Sequence, residues 1–175
     1  EFDLKQFPDK SFDYVVLGQT LQAFINPEIV IKELLRVGKK AIVTIPNFGH
    51  WKVRLNLLIQ GTMPVTQTLP NEWYNPPNIH MCTIKDFFKF SETMNFKIFK
   101  SFALMNKNVS TINSSNLSSK NLFCELGIFL IDKFDLLIVD TFLFMSAIDL
   151  KILKFIVSEN LKKSLIVHIC ILGVL

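Results

Sequence analysis

The sequence has few cysteines, and their arrangement argues against a secreted protein. Cys82, Cys124 and Cys170 are odd in number and far apart, and they form no C-x-x-C pair. A disulfide framework is therefore not expected. The start of the chain also lacks a basic n-region followed by an apolar h-region, so no signal peptide is predicted. Both absences favour a reduced, cytoplasmic compartment.

Clustered charge and long apolar runs are scarce as well. The net charge is +4, but adjacent basic residues occur only at 39–40 and 162–163, so no stripe that follows nucleic-acid phosphates is predicted. In the C-terminal region, the longest uncharged stretch is Ser164–Leu175. It is shorter than the roughly 18–20 residues that a helix needs to cross a bilayer. Nucleic acid and membrane are therefore not expected as partners.

The chain is instead rich in apolar residues arranged as alternating strands and helices. Hydrophobic residues make up 50% of it, which predicts a folded core. Phe12–Leu17 is typical of a strand buried on both faces of a parallel sheet, and Ala41–Ile45 is a second such strand. Between them, Asn26 as N-cap, helical spacing over 29–37 and Gly38 as a stop predict a helix. A strand–helix–strand unit is a right-handed parallel crossover, so the fold class is α/β.

The middle of the chain predicts two further helices separated by a loop. NFGHWKVRLNLLIQG indicates a loop and then an amphipathic helix that Gly61 closes. Residues 62–82 contain four prolines and predict a structured surface loop. Thr83, with Asp86 three residues later, then predicts the capped start of a helix that runs through Met94.

Two more strands are predicted after these helices, at Phe96–Leu104 and Asn121–Ile131. The intervening NVSTINSSNLSSKN is predicted as a polar loop. Because this connection is long for a hairpin, we expect its two strands to pair antiparallel at an edge of the sheet.

Several strings in the chain together resemble one protein family. FPDKSFDYVVLGQTLQAF, PNFGHW and EWYNPPNIHMCT, within a dense similarity from residue 3 to about residue 131, resemble the MetW family of methionine-biosynthesis proteins. The resemblance implies the Rossmann-like fold of class I S-adenosylmethionine-dependent methyltransferases, with strand order 3-2-1-4-5-7-6. In chain order, the four predicted strands resemble strands 4, 5, 6 and 7 of that sheet, in which strand 7 lies between strands 5 and 6.

The resemblance also implies what the chain lacks. Strands 1 to 3 have no counterpart, and Phe12–Leu17 needs a neighbour that the few residues before it cannot supply. The first residue is Glu1, not Met, so we expect an N-terminally truncated fragment or a processed chain. The predicted domains are a partial methyltransferase-like domain over residues 1–133 and a hydrophobic tail, unrelated to the family, over 134–175. That tail is interpreted as an amphipathic cover, a membrane-surface segment or read-through sequence, of which we favour the last.

The cofactor implied by the resemblance is S-adenosylmethionine. Gly18, Gln19, Thr20 and Leu21 resemble the family residues that border it after the fourth strand. The glycine-rich loop and the acids that hold the ribose belong to the missing strands, and no two of the six glycines are close enough to form such a loop. We therefore expect this chain alone to bind the cofactor poorly and to be inactive as an enzyme. In the alternative interpretation, Gln19 and Gln22 cap a helix turn and Leu21 is core.

Two groups of residues are candidates for contact with a substrate or a partner. The first group follows the second strand and consists of Asn47, His50, Trp51 and Arg54. The second group lies in the proline-rich loop and consists of Glu72, Trp73, Tyr74, Asn78, His80 and Cys82. An imidazole and a guanidinium on one helix face suit a carboxylate or an acidic surface, and rigid rings suit protein recognition. The alternatives are an exposed helix start and a loop folded as a lid.

Metal binding and nucleophilic catalysis are not predicted. His50, His80 and Cys82 match no trusted zinc spacing, and no third group is evident to orient a Cys82–His80 pair. The resemblance implies a protein of methionine biosynthesis that supports homoserine O-acetyltransferase of the MetX type. The second hypothesis is an S-adenosylmethionine-dependent methyltransferase of a small molecule, with His50 or His80 as base.

Overall fold

The computed structural model describes residues 4–66, 72, 80–133 and 171–172, which form a mixed sheet with helices packed on it. The strands are β1 (Phe12–Gly18), β2 (Gly38–Pro46), β3 (Phe96–Met105), β4 (Asn108–Thr111), β5 (Leu126–Lys133) and β6 (Ile171–Leu172). The helices are α1 (Pro27–Val37), α2 (Trp51–Gln60), α3 (Ile84–Thr93) and α4 (Leu117–Phe123), with a 3-10 turn at Leu21–Ala23.

The strand order is β4-β3-β5-β2-β1-β6. β1 and β2 are parallel and α1 connects them, as the crossover pattern predicts. β5 runs antiparallel to both β2 and β3. The order β1-β2-β5-β3 reproduces the predicted order 4-5-7-6, so the α/β methyltransferase-like fold is confirmed for these strands.

Among the described residues, the apolar clusters on the two faces of the sheet differ in size. The larger core lies under α1 and α3, where Leu34 and Ile84 are fully buried against Phe129 and other strand residues. Phe87 of α3 packs on Phe129 with ring centroids 4.2 Å apart. The smaller cluster, on the other face, includes Val16 and residues of β2, β3 and β5. The helices therefore fix the sheet mainly through one face.

Residues 4–11, which precede β1, are held on α1 and form no strand. Arg36 donates hydrogen bonds to the carbonyl oxygens of Leu4 and Phe7 and forms ion pairs with Asp9 and Glu33. The outer edge of β1 pairs instead with β6, antiparallel, through two residues of each strand.

The connection between β3 and β5 corrects three predictions. The polar loop contains β4 and α4, and the strand predicted at Asn121–Ile131 begins only at Leu126. Reciprocal hydrogen bonds between the side chains and amides of Asn113 and Asn116 shape the turn that leads into α4. The pairing of β3 with β5 is antiparallel as predicted, but β4 and not β5 lies at the sheet edge.

The boundary between α1 and β2 also differs from the prediction. Gly38 is not a left-handed stop, because its φ is −100° and it begins β2 directly. The residue is nevertheless suited to this site, since a Cβ there would lie 2.7 Å from Cγ2 of Val15. Gly61 does end α2 in the left-handed conformation, with φ of 66°, and Thr83 and Asp86 form the predicted capping box of α3.

The tail of residues 134–175 lies outside the described residues except for β6, so its assignment as a separate segment stays a prediction. Within the part of the chain that the structure describes, none of the helices has the length and apolar character needed to span a membrane.

Replacing Gly127 by alanine tests the packing between β5 and α3. The added Cβ would lie 2.7 Å from Cε2 of Phe129 and 3.3 Å from Cγ1 of Ile84, both fully buried. We expect Gly127→Ala to lower the free energy of unfolding by about 1–3 kcal/mol in chemical denaturation, because the core is overpacked. Gly61→Asn is the control, since asparagine tolerates the left-handed conformation. Equal stability of Gly127→Ala and the unchanged chain would contradict this packing.

Candidate functional site

Three segments meet at the carboxyl ends of β1 and β2, where ligands bind in open α/β sheets. These segments are residues 18–22 after β1, residues 47–50 after β2 and residues 80–83 before α3. The amide of His80 donates to the carbonyl oxygen of Gln22 at 2.9 Å, and the amide of Phe48 donates to that of Cys82 at 3.1 Å. The structure thus brings together candidate residues that are far apart in sequence.

The loop after β1 holds the residues predicted to border a cofactor, Gly18, Gln19, Thr20 and Leu21. Gln19 has a φ of 49°, and its amide donates to the carbonyl oxygen and to Oγ1 of Thr44, at 3.0 and 2.9 Å. Leu21 is buried in the core, as the alternative interpretation has it. Thr20 is also buried, and its Oγ1 has no hydrogen-bond partner among the described residues.

A small cavity of about 220 Å³ opens beside this loop. Its lining comprises Leu21, Gln22, Pro27, His80, Cys82, Asp86, Phe87 and Phe90. Gln22 is 5% exposed; its Nε2 donates to the carbonyl oxygen of Gln19, whereas its Oε1 has no partner in the described part of the chain. A buried acceptor without a donor is costly, so a ligand that donates to Oε1 would be favoured there.

Sequence reasoning interpreted Gln22 only as a cap and did not find this cavity. Phe87 and Phe90 come to it from α3, which lies far along the chain. The only signal in the sequence is that Gln22 stands between the apolar residues Leu21 and Ala23. This signal is weak, because the sequence does not show which residues pack over the glutamine.

Asn47 joins the loop after β2 to the start of α3 and to the segment before β5 through its buried side chain. Its Nδ2 donates to the carbonyl oxygens of Asn121 and Cys124, at 2.9 and 2.8 Å, and its Oδ1 accepts from the amides of Gly49 and Ile84, at 2.9 and 3.4 Å. The amide group, 2% exposed, is thus fully occupied within the chain. It fixes the start of both α2 and α3.

His50 caps the first turn of α2. Its Nδ1 accepts from the amide of Lys52 at 3.3 Å, and burial lowers the pKa of the imidazole, which suits a neutral acceptor. The Nε of Arg54 donates to the carbonyl oxygen of Gly49 at 2.6 Å. Trp51 is 41% exposed, and its ring lies 5.9 Å from that of His50. The histidine therefore shapes the loop, while Trp51 and Arg54 face outward.

The second candidate group is only partly described. Trp73, Tyr74 and Asn78 lie outside the described residues, and Glu72 is exposed. His80 is exposed as well, with Nε2 3.3 Å from the carbonyl oxygen of Ile25. Its two contacts fasten the end of the proline-rich loop to the segment after β1.

Cys82 is a poor nucleophile in this setting. Burial, with a smaller contribution from Asp86, raises the pKa of its thiol to about 12. Burial likewise raises the pKa of Cys124 to about 12. Thiolate chemistry at neutral pH is therefore disfavoured at both. Over the described ranges, no cluster of three His, Cys, Asp or Glu side chains could hold a metal ion.

Removal of the Asn47 amide tests its role in joining the loops. Asn47→Ala leaves two carbonyl oxygens and two amides without this partner in a buried setting, so we expect the free energy of unfolding to fall by about 2–4 kcal/mol. Asn108→Ala is the control, because this asparagine is exposed in β4. A loss within about 0.5 kcal/mol in chemical denaturation would be incompatible with the assigned role.

The raised thiol pKa of Cys82 predicts slow alkylation. At pH 8 iodoacetamide should modify Cys82 at least about a hundredfold more slowly in the folded chain than in denaturant, because the thiolate is scarce and buried. Mass spectrometry of the Cys82 peptide measures both rates. Similar rates in the two states would show that the thiol is ionised and accessible.

The fold is shared with a solved methyltransferase. A structure from Thermotoga maritima, described as an S-adenosylmethionine-dependent methyltransferase and possible histamine N-methyltransferase, matches with a TM-score of 0.50. The match covers 73% of this chain and 58% of that one, with 16% identical residues. At that identity the likeness shows the fold alone.

Sequence comparison identifies the family. A curated relative from Rhodopirellula baltica, the bifunctional methionine biosynthesis protein MetXA/MetW, is 39% identical over 84 residues. The match spans 47% of this chain and 14% of the relative's length. The family described as methionine biosynthesis protein MetW matches residues 1–131. The chain therefore belongs to the MetW family.

Proposed function

We propose that the chain acts in methionine biosynthesis as a methyltransferase-fold partner of homoserine O-acetyltransferase. The observation that carries the proposal is the Rhodopirellula baltica relative, whose name joins a MetXA part and a MetW part in one bifunctional protein. Covalent linkage keeps two modules at a high effective concentration, which benefits parts that act on each other. In this chain, association with a separate acetyltransferase would serve the same end.

The geometry at the carboxyl ends of β1 and β2 supports a contact surface. The side-chain amide of Asn47 and the Nδ1 of His50 form hydrogen bonds within the chain, and the raised pKa of Cys82 keeps this residue in the thiol form at neutral pH. Trp51 and Arg54 are left at the surface, on the first turn of α2. Tryptophan and arginine are the residues that most often dominate protein interfaces. In this proposal the chemistry belongs to the acetyltransferase.

One observation favours a second candidate, an S-adenosylmethionine-dependent methyltransferase of a small molecule. The lining of the cavity beside residues 18–22 includes Gln22, whose Oε1 has no hydrogen-bond partner among the described residues, and His80. In this function Gly18, Gln19, Thr20 and Leu21 would border the cofactor, and His80 would deprotonate the acceptor. The 175 residues contain no glycine-rich loop for the cofactor, so weak binding of S-adenosylmethionine is part of our first proposal.

The two functions differ in what the acetyltransferase requires. We expect the full chain to co-purify with the homoserine O-acetyltransferase of the same organism and to raise its activity without added S-adenosylmethionine. Arg54→Ala and Trp73→Ala should each weaken the association severalfold, because they remove a cation and a ring from the proposed surface. Lys89→Ala is the matched control, since it removes an exposed cation from α3.

Three results would each contradict a different part of the proposal. Absence of co-purification, or a rise in activity only with S-adenosylmethionine, would overturn the partner role; the second result would favour the methyltransferase. Unchanged affinity in both variants would remove these two residues from the interface and leave the partner role intact.

A further inference from the structure

Helix α2 presents an apolar stripe to solvent, opposite its contact with the core. Trp51, Leu55, Leu58 and Ile59 recur at helical spacing and share one face. Their exposed fractions are 41%, 43%, 82% and 72%, whereas Val53, on the opposite side, is 7% exposed. Together they expose on the order of a few hundred Å², the size of patch that marks interaction sites. We call these four residues the α2 stripe.

Cations border the α2 stripe on both sides. Each residue of an α-helix turns about 100° around the axis, so Lys52 lies at about 100° from Trp51 and Arg54 at about 300°. The four stripe residues lie in the arc between these two cations that contains Trp51. The Nζ of Lys52 lies 5.7 Å from the centre of the Trp51 ring. From residue 34 to residue 71 the sequence contains no Asp or Glu, so the charged residues of α2 itself are all cationic.

We infer that the α2 stripe is the docking surface for a partner protein that offers an apolar groove bordered by carboxylates. The apolar residues would enter the groove, as amphipathic helices do in helix-in-groove recognition. Lys52 and Arg54 would face the acidic rim. The inference rests on the proposed function, and it names the part of the chain that the acetyltransferase contacts.

Charge and length argue against two other occupants. A second copy of the chain would bring the same cations, Lys52 and Arg54, to the interface, and like charges there are unfavourable. A membrane-surface helix depends on many basic residues as well as apolar area. α2 has only two cations in its ten residues and is about 15 Å long.

A charge introduced into the stripe tests the inference. Leu58→Glu removes the most exposed apolar side chain and would repel an acidic rim, and Ile59→Glu repeats the change one residue on. Ile25→Glu is the matched control, because Ile25 is 76% exposed and lies outside α2. Calorimetric titration of the full chain with the homoserine O-acetyltransferase of the same organism gives each affinity, and circular dichroism confirms the folded state.

We expect both stripe variants to raise Kd at least about tenfold and Ile25→Glu to leave it unchanged. Affinity equal to that of the unchanged chain in both variants overturns the inference and leaves the partner role standing. No binding by the unchanged chain overturns the partner role and the inference together. If the variants instead lose only self-association, or only binding to phosphatidylglycerol vesicles, the stripe has another occupant and the inference is overturned.

Discussion

The four hydrogen bonds of the Asn47 side chain are the constraint on which the candidate site at the edge of the sheet depends. One donor group binds the segment that leads into β5, and one acceptor binds the starts of α2 and α3. An apolar side chain at this position could neither donate to the two carbonyl oxygens nor accept from the two amides. An aspartate could accept from the amides but would place a carboxylate against the two carbonyl oxygens. The loop that leads into α2 and the first residue of α3 are both held by this side chain.

The residues at this edge of the sheet differ in their exposure, and the difference bears on function. Groups that could do chemistry, such as the imidazole of His50 and the thiol of Cys82, are buried and held neutral. Groups that could bind a surface, on α2, are exposed. A methyltransferase-like sheet therefore presents a helix of mixed apolar and cationic character at the edge where enzymes of this fold hold their ligands. This supports recognition of a protein over turnover of a small molecule.

Much of the fold could be predicted from the sequence, because strong local patterns coincide with the final structure. The runs at Phe12–Leu17 and Ala41–Ile45 and the capping box at Thr83 are local signals, and each coincides with an element of the structure. The elements within residues 108–123 could not be predicted, because the Ser and Asn residues that suggest a polar loop also form β4, α4 and the hydrogen-bonded turn between them. The roles of Asn47 and Gln22 depend on segments more than thirty residues away, which no local pattern reveals.

Hydrogen–deuterium exchange of the chain alone and in complex with homoserine O-acetyltransferase tests the account most directly. The account predicts that peptides covering residues 47–60 exchange more slowly in the complex, because the loop after β2 and α2 lie in the contact. Peptides from β4, at the far edge of the sheet, should exchange at the same rate in both states. Protection confined to β4 and α4, with residues 47–60 unchanged, would contradict the account.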